Sequence, residues 1–191
     1  MSTSAICFSL AAAAWLIGVT PVALRAQLSM REALQSAFPA PAVLERRTAF
    51  LRPEDLAAIQ AAAGSDVVVS QRVITYYVAR RDGAPVGVAY FDSHRVRTLN
   101  EVLMIVVQPD DRIRAIEVLR FAEPPEYEAR EPWLAQFEGK SLSQQLSLKG
   151  SIANMTGATL TSAAIVRASR RVLAVHQRIR PFGHETAGNS P

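Results

Sequence analysis

The hydrophobic pattern of this chain changes period three times. From Ala5 to Leu24 it reads AICFSLAAAAWLIGVTPVAL, an uncharged run that would be apolar on every face of a helix and is just long enough to span a bilayer. A helical period follows. SMREALQSAFPAP predicts a short helix that Ser29 caps, Glu32 completes as a capping box, and Pro39 and Pro41 end. LRPEDLAAIQAAAG predicts a second helix: Pro53 suits a first turn, Glu54 and Asp55 complement the positive end of the dipole, and Gly64 suits the stop.

The period then shortens to that of strands. QRVITYYVARRDGAPVGVAYFD predicts a hairpin turning at Asp82-Gly83, and LNEVLMIVVQPDDRIRAIEVLRF predicts a second turning at Pro109, Asp110 and Asp111. In YEAREPWLAQFEGKSL, the residues Tyr127, Trp133, Leu134 and Phe137 would form the buried side of a short helix stopped by Gly139. The last helix, TSAAIVRASRRVLAVHQRI, aligns Ile165, Ala168, Val172, Val175 and Ile179 on one stripe, sets Arg167, Arg170, Arg171 and Arg178 elsewhere, and ends before Pro181 and Gly183. The expected fold class is α+β: an antiparallel sheet of two hairpins with helices packed on one side. The expected divisions are a leader over 1–26, a helical extension over 27–66, the main domain over 67–180 and a mobile polar tail over 181–191.

Composition narrows the function. At 191 residues, 49% hydrophobic and 20% charged, the chain suits one core with an appendage. The net charge of +4 comes from arginines scattered among acids, with only 7% aromatic residues, so nucleic-acid binding is excluded. Cys7 is the only cysteine and lies in the leader, so redox chemistry in the main domain needs a borrowed cofactor. The leader reads as a secretory signal cleaved after Ala26, before Gln27, although MSTS lacks a basic residue and Leu24 stands where a small residue is favoured. The rival is an uncleaved anchor, for which Arg25 and Arg31 would draw the C-terminal side inward. We expect export, giving a periplasmic protein that is soluble or anchored to the inner membrane.

The chemistry concentrates in Thr156-Gly157-Ala158-Thr159-Leu160-Thr161-Ser162, directly before the last helix. Its hydroxyls admit two compatible readings. In one, Thr161 or Ser162 caps the helix, with Gly157 allowing the turn. In the other, the orphan N–H groups and the dipole hold a phosphate beside Thr159.

That segment resembles the S/T-G-A-T-x-[ST] signature of FMN-binding domains, found in flavoprotein subunits of sodium-translocating NADH:quinone reductase and Rnf complexes and in NosR-type periplasmic domains. The resemblance runs from the first hairpin through Phe91-Asp92 and Gly139-Lys140-Ser141-Leu142 to the last helix. It implies that FMN is esterified to Thr159, delivered from FAD by a magnesium-dependent flavin transferase outside the cytoplasm, and that 67–180 is the FMN-binding domain. It also implies that Glu123 reaches the flavin, and that the partner is a membrane redox complex or a quinone. Two positions depart from the family: Ala153, followed by Asn154, replaces an acidic residue, and Glu123-Pro124-Pro125-Glu126-Tyr127 replaces a glycine-rich run.

The remaining candidates read as structural. His94 is expected to be a surface loop residue, and with His176 and His184 far away in sequence no metal site is assigned. Trp133 is read as core, and no nucleophile elbow supports a hydrolase. The function implied is an electron carrier rather than a stand-alone enzyme. The alternatives are a non-redox accessory protein of a membrane redox complex that keeps the fold without covalent flavin, and a noncovalent FMN binder.

Overall fold

The computed structural model describes residues 29–183. The leader with Cys7, Arg25 and Ala26, and the tail from His184 onward, lie outside the described residues. The elements in chain order are α1 (Met30–Ala37), β1 (Val43–Phe50), α2 (Pro53–Ala63), β2 (Val73–Arg81), β3 (Ala84–Arg95), β4 (Asn100–Val107), β5 (Ile113–Phe121), α3 (Glu131–Leu134) and α4 (Thr159–Ile179). The five strands form one antiparallel sheet in the order β1-β2-β3-β4-β5.

Both predicted hairpins are present, and their turns have the required backbone. Asp82 and Gly83 both take positive φ, as a two-residue turn matched to strand twist demands, and Asp111 does so at the second turn. The first two helices begin as read. Ser29 Oγ accepts the Glu32 amide while Glu32 accepts the Ser29 amide, and Asp55 accepts the Arg52 amide at 2.8 Å.

β1 is the element that the hydrophobic pattern does not announce. VLERRTAF carries charges at its centre because β1 is an edge strand, exposed at Val43, Arg46, Thr48 and Phe50. The segment 27–66, expected to be all helical, therefore supplies a strand to the main sheet.

The sheet also has helices on both faces, not one. α2 and α4 cover the face of Val78, Val88, Leu103, Ile105 and Ile116. α1 covers part of the other, packing Ala33, Leu34 and Phe38 on Ala79, Ala89, Met104, Val106 and Leu119. Phe38 needs Gly87 beneath it, because a Cβ there would stand 3.0 Å from its ring, and Arg114 lies 4.5 Å over that ring while donating to Ala37 O. The alternation of buried and exposed residues usual in a strand is interrupted in β5. Two register shifts against β4 bring Ile113, Ile116 and Leu119 to buried positions, a spacing of three that serves both faces.

α4 is the central helix, buried well beyond one stripe. Its arginines act as braces. Arg170 donates to Ala63 O and to Ser143 O, Arg171 to Asp92, and Arg178 to Asp55. The Arg52 amide, then Arg178, hold the Asp55 carboxyl down at about 2. Buried His176 faces Tyr90 Oη at 2.9 Å, and burial keeps its pKa below the ordinary 6.5 despite Asp111 nearby.

Because α1 covers a true second core, Leu34→Ala should destabilise the protein by about 2–4 kcal/mol. Chemical denaturation measures this; an unchanged midpoint would mean that α1 is a detachable appendage.

Candidate functional site

Three chain segments meet at one end of the sheet. The turn from β3 to β4 supplies Val96, Arg97 and Thr98; the chain leaving β5 supplies Glu123, Pro124 and Tyr127; and the entry to α4 supplies Gly157 to Thr161. Together they line a groove of about 480 Å³, a volume within the usual range for cofactor-sized ligands.

α4 begins inside the signature, two residues earlier than the expected start at Thr161. Thr159 is its first residue, and Ala158 stands at the cap position with no side chain to close the helix end. The amides of the first turn therefore keep their anion-binding capacity. Neither predicted cap fills that role. Thr161 is buried inside the first turn, and Ser162 works backward: its Oγ accepts the Met155 amide at 3.1 Å and donates to Ala158 O at 3.1 Å. Ser162 thus fixes the approach loop rather than the helix end. Gly157 carries φ of 79° with nothing within 4 Å of a would-be Cβ, so the turn needs its backbone freedom and not its small size.

Thr159 is exposed at the groove, and its Oγ accepts from Asn154 Nδ2 at 2.9 Å. With that acceptor site taken, the hydroxyl proton remains free to be donated. Asn154 is held in place through its neighbour, since Trp133 Nε1 donates to Ala153 O at 2.7 Å and the Ala153 amide donates to Gln136 Oε1 at 2.8 Å. Trp133 therefore does more than pack against Phe137: its indole N–H fixes the loop before the signature. This pairing has no local signal, because Trp133 and Ala153 are brought together only by the fold. Thr156 is exposed, and Leu160 and Tyr127 offer exposed apolar surface at the groove.

Glu123 lies at the groove but is already committed. Its Oε1 accepts the amides of Leu99, Thr98 and Arg97 and the Thr98 hydroxyl, which hold its carboxyl below the ordinary carboxylate range. Its observed role is to shape the β3–β4 turn that forms one wall.

Behind that wall lies a buried charged chain. Arg171 pairs with both oxygens of Asp92, His94 Nδ1 meets Asp92 at 2.9 Å, and His94 Nε2 meets Glu101 at 3.0 Å. His94 is thus a part-buried strand residue and not the loop residue the sequence led us to expect. Burial alone pushes its pKa down, but Asp92 and Glu101 more than reverse this and raise it above 6.5. Asp92 is likewise pushed up by burial yet held below its ordinary value by His94 and Arg171, whereas burial keeps Glu101 raised and its Oε1 has no partner. Among the described residues no three His, Cys, Asp or Glu side chains are grouped to hold a metal ion.

Residues 100–174 match the family model described as the FMN-binding domain, a stretch running from β4 into α4 and including Glu123 and the whole signature. The crystal structure of NqrC from Shewanella oneidensis is similar in fold, with a TM-score of 0.54 and 14% identity over 79% of this chain and 88% of that one. No curated protein sequence matches.

Two outcomes follow from these contacts. His94 has a raised folded pKa, so its contribution to stability is complete below 6.5 and is lost as pH rises through the folded value. The melting-temperature gap between the wild type and His94→Gln should therefore narrow as pH rises, and a gap that widens would contradict a charged His94. Glu123→Gln should speed hydrogen exchange at the amides of Arg97, Thr98 and Leu99 while leaving β2 unchanged; equal protection in both proteins would show that the carboxylate does not hold the turn.

Proposed function

Because residues 100–174 belong to the FMN-binding domain family, we propose that this chain is an extracytoplasmic electron carrier whose FMN is esterified to Thr159 and lies in the groove. FMN is its cofactor, and when bound it supplies one- or two-electron transfer. The observation that carries the covalent reading is the Thr159 hydroxyl: it is exposed at the groove, at the open N-terminus of a 21-residue helix, and oriented by Asn154.

The residues present fit the group. The uncapped first turn of α4 offers amides and a positive dipole end to the phosphate. Leu160 and Tyr127 offer apolar surface to the ring system, and the Glu123-braced turn closes the opposite wall. Attachment is a group transfer in which the Thr159 Oγ–P bond forms, the pyrophosphate bond of FAD breaks and AMP leaves. The hydroxyl proton passes to a base of the flavin transferase, because none of the side chains hydrogen-bonded to Thr159 here is one. A threonine hydroxyl is a poor nucleophile near neutrality, which is why a separate enzyme is required. Asn154 keeps the oxygen aimed and its proton available.

Covalency matters outside the cytoplasm, where a dissociated flavin is not replaced and occupancy of a reversible site would follow free ligand. The apolar run from Ala5 to Leu24 supports that location. The acceptor or donor is expected to be a membrane redox complex. The rival reading, an accessory protein without covalent flavin, is favoured by Ala153 at the acidic position.

Chain exported together with a flavin transferase should gain the mass of FMN minus water on the peptide containing Thr159, whereas chain retained in the cytoplasm should not. Thr159→Val should abolish in-gel flavin fluorescence with little loss of stability. Ser162→Ala should lose roughly 1–3 kcal/mol yet keep the flavin. Unmodified Thr159 after export, or modification of another residue, would refute covalent attachment at this site.

A further inference from the structure

The face of the sheet that α1 leaves open carries an arrangement the flavin site does not use. α1 covers the half nearest the β2–β3 and β4–β5 turns, and the other half is bare. Strand alternation and register place Arg46, Phe50, Val73, Arg95 and Arg120 on that bare half, with Phe91 at its border against the core under α1. Phe50 is 76% exposed and Val73 53% exposed, and the two are direct cross-strand partners. A shallow groove of about 590 Å³ lies beside them, lined by Arg46, Val73 and Phe91 together with Met30, Arg72 and Tyr77. Among the described residues, Arg46, Arg72, Arg95 and Arg120 form no ion pair. Glu117, the acid of β5 on this face, sits at the covered end beside Ala33.

We propose that this half-face docks on an anionic lipid bilayer. The proposal rests on the reading above that the protein works beside a membrane. Two observations select lipid as the occupant. First, unpaired arginines around exposed Phe and Val are the composition that adsorbs at a headgroup boundary, the guanidinium groups meeting phosphates and the apolar side chains entering the acyl edge. Second, the chain enters the described fold at this face: Met30 lines the groove, and its sulfur accepts from Tyr77 Oη. The uncharged run Ala5–Leu24 stands only a few residues ahead of it in sequence. A bilayer that holds or has just released that run lies within reach of the half-face.

Docking would also orient the site. Arg95 ends β3, and Val96, Arg97 and Thr98 of the groove follow it directly, so the bare half-face and the flavin groove share one end of the sheet. Laid on the bilayer, the half-face brings the groove to the membrane surface, where a lipid-embedded electron partner would be met.

The test uses the full chain with Cys7→Ser, reconstituted into phosphatidylcholine vesicles carrying brominated acyl chains, with and without phosphatidylglycerol. A bimane label is placed at Thr48→Cys on the half-face or, as control, at Lys149→Cys on the α4 side. The Thr48 label should be quenched when phosphatidylglycerol is present and much less without it, and the Lys149 label should be quenched in neither. Arg46→Glu, Arg95→Glu and Arg120→Glu should each lower the docked-to-free ratio roughly fivefold. Equal quenching at both labels, or none at Thr48, overturns the proposal. So does a Thr48 label that lipid does not quench but native membranes shield from aqueous iodide, since a protein would then cover the face. In-gel flavin fluorescence in the same samples separates the two readings: flavin retained without quenching sinks only the docking, and quenching without flavin sinks only the attachment.

Discussion

The geometry of the groove depends on the bidentate pair between Arg171 and Asp92. α4 runs away from the groove while β3 runs toward it, so a fixed point partway along each sets how far the helix end protrudes past the sheet. Arg171 lies 12 residues beyond Thr159, about 18 Å of helix, and Asp92 lies four residues before Val96, about 13 Å of strand. Sliding α4 by one turn would strand a desolvated guanidinium and a carboxylate, which costs far more than the pair gains. Apolar burial alone sets which side of α4 faces the sheet but constrains its position along its axis only weakly. The charged pair selects one position, and His94 and Glu101 extend that selection to the strand on the other side of the wall.

The rest of the site is held by backbone contacts to single side chains. Glu123 gathers three consecutive amides, Ser162 ties Met155 to Ala158, and Trp133 with Gln136 clamps Ala153. Each restrains a loop that has no regular structure of its own. A polar backbone in such loops must find partners; Glu123, Trp133 and Gln136 supply theirs across 17 to 26 residues, whereas Ser162 reaches back only seven. The turn from β3 to β4 and the loop before α4 are therefore each held by named side chains, although most of the groove's lining is loop.

Much of this was legible in the sequence where local chemistry decides the outcome. Asp82-Gly83, the Ser29–Glu32 capping box and the proline-led start of α2 each specify their own structure, and the signature before α4 supplies one wall of the groove. What was hidden depends on distant partners. β1 lies inside a segment expected to be helical, and its pattern does not announce a strand because an edge strand is only half covered. His94 reads as a surface residue because nothing in its neighbours announces Glu101 seven residues on or Arg171 on the last helix. Ser162 reads as a cap because a hydroxyl near a helix start has two possible targets, and only the folded loop shows that Met155 is the one. β5 concealed its register for another reason: two bulges convert its period from two to three, and no alternation survives that.

The groove is assembled from three short connections while the sheet and α4 stay beneath it, and this divides the molecule into parts that can change independently. Substitutions in Val96–Leu99 or Pro124–Tyr127 alter the lining of the groove without disturbing a packed layer, so they carry little cost in folding. The core itself needs only volume and polarity at its positions, which many sequences satisfy. A scaffold of this kind can stand at 14% identity to a structural relative and share its shape, while the side chains at its rim vary independently of the layers beneath.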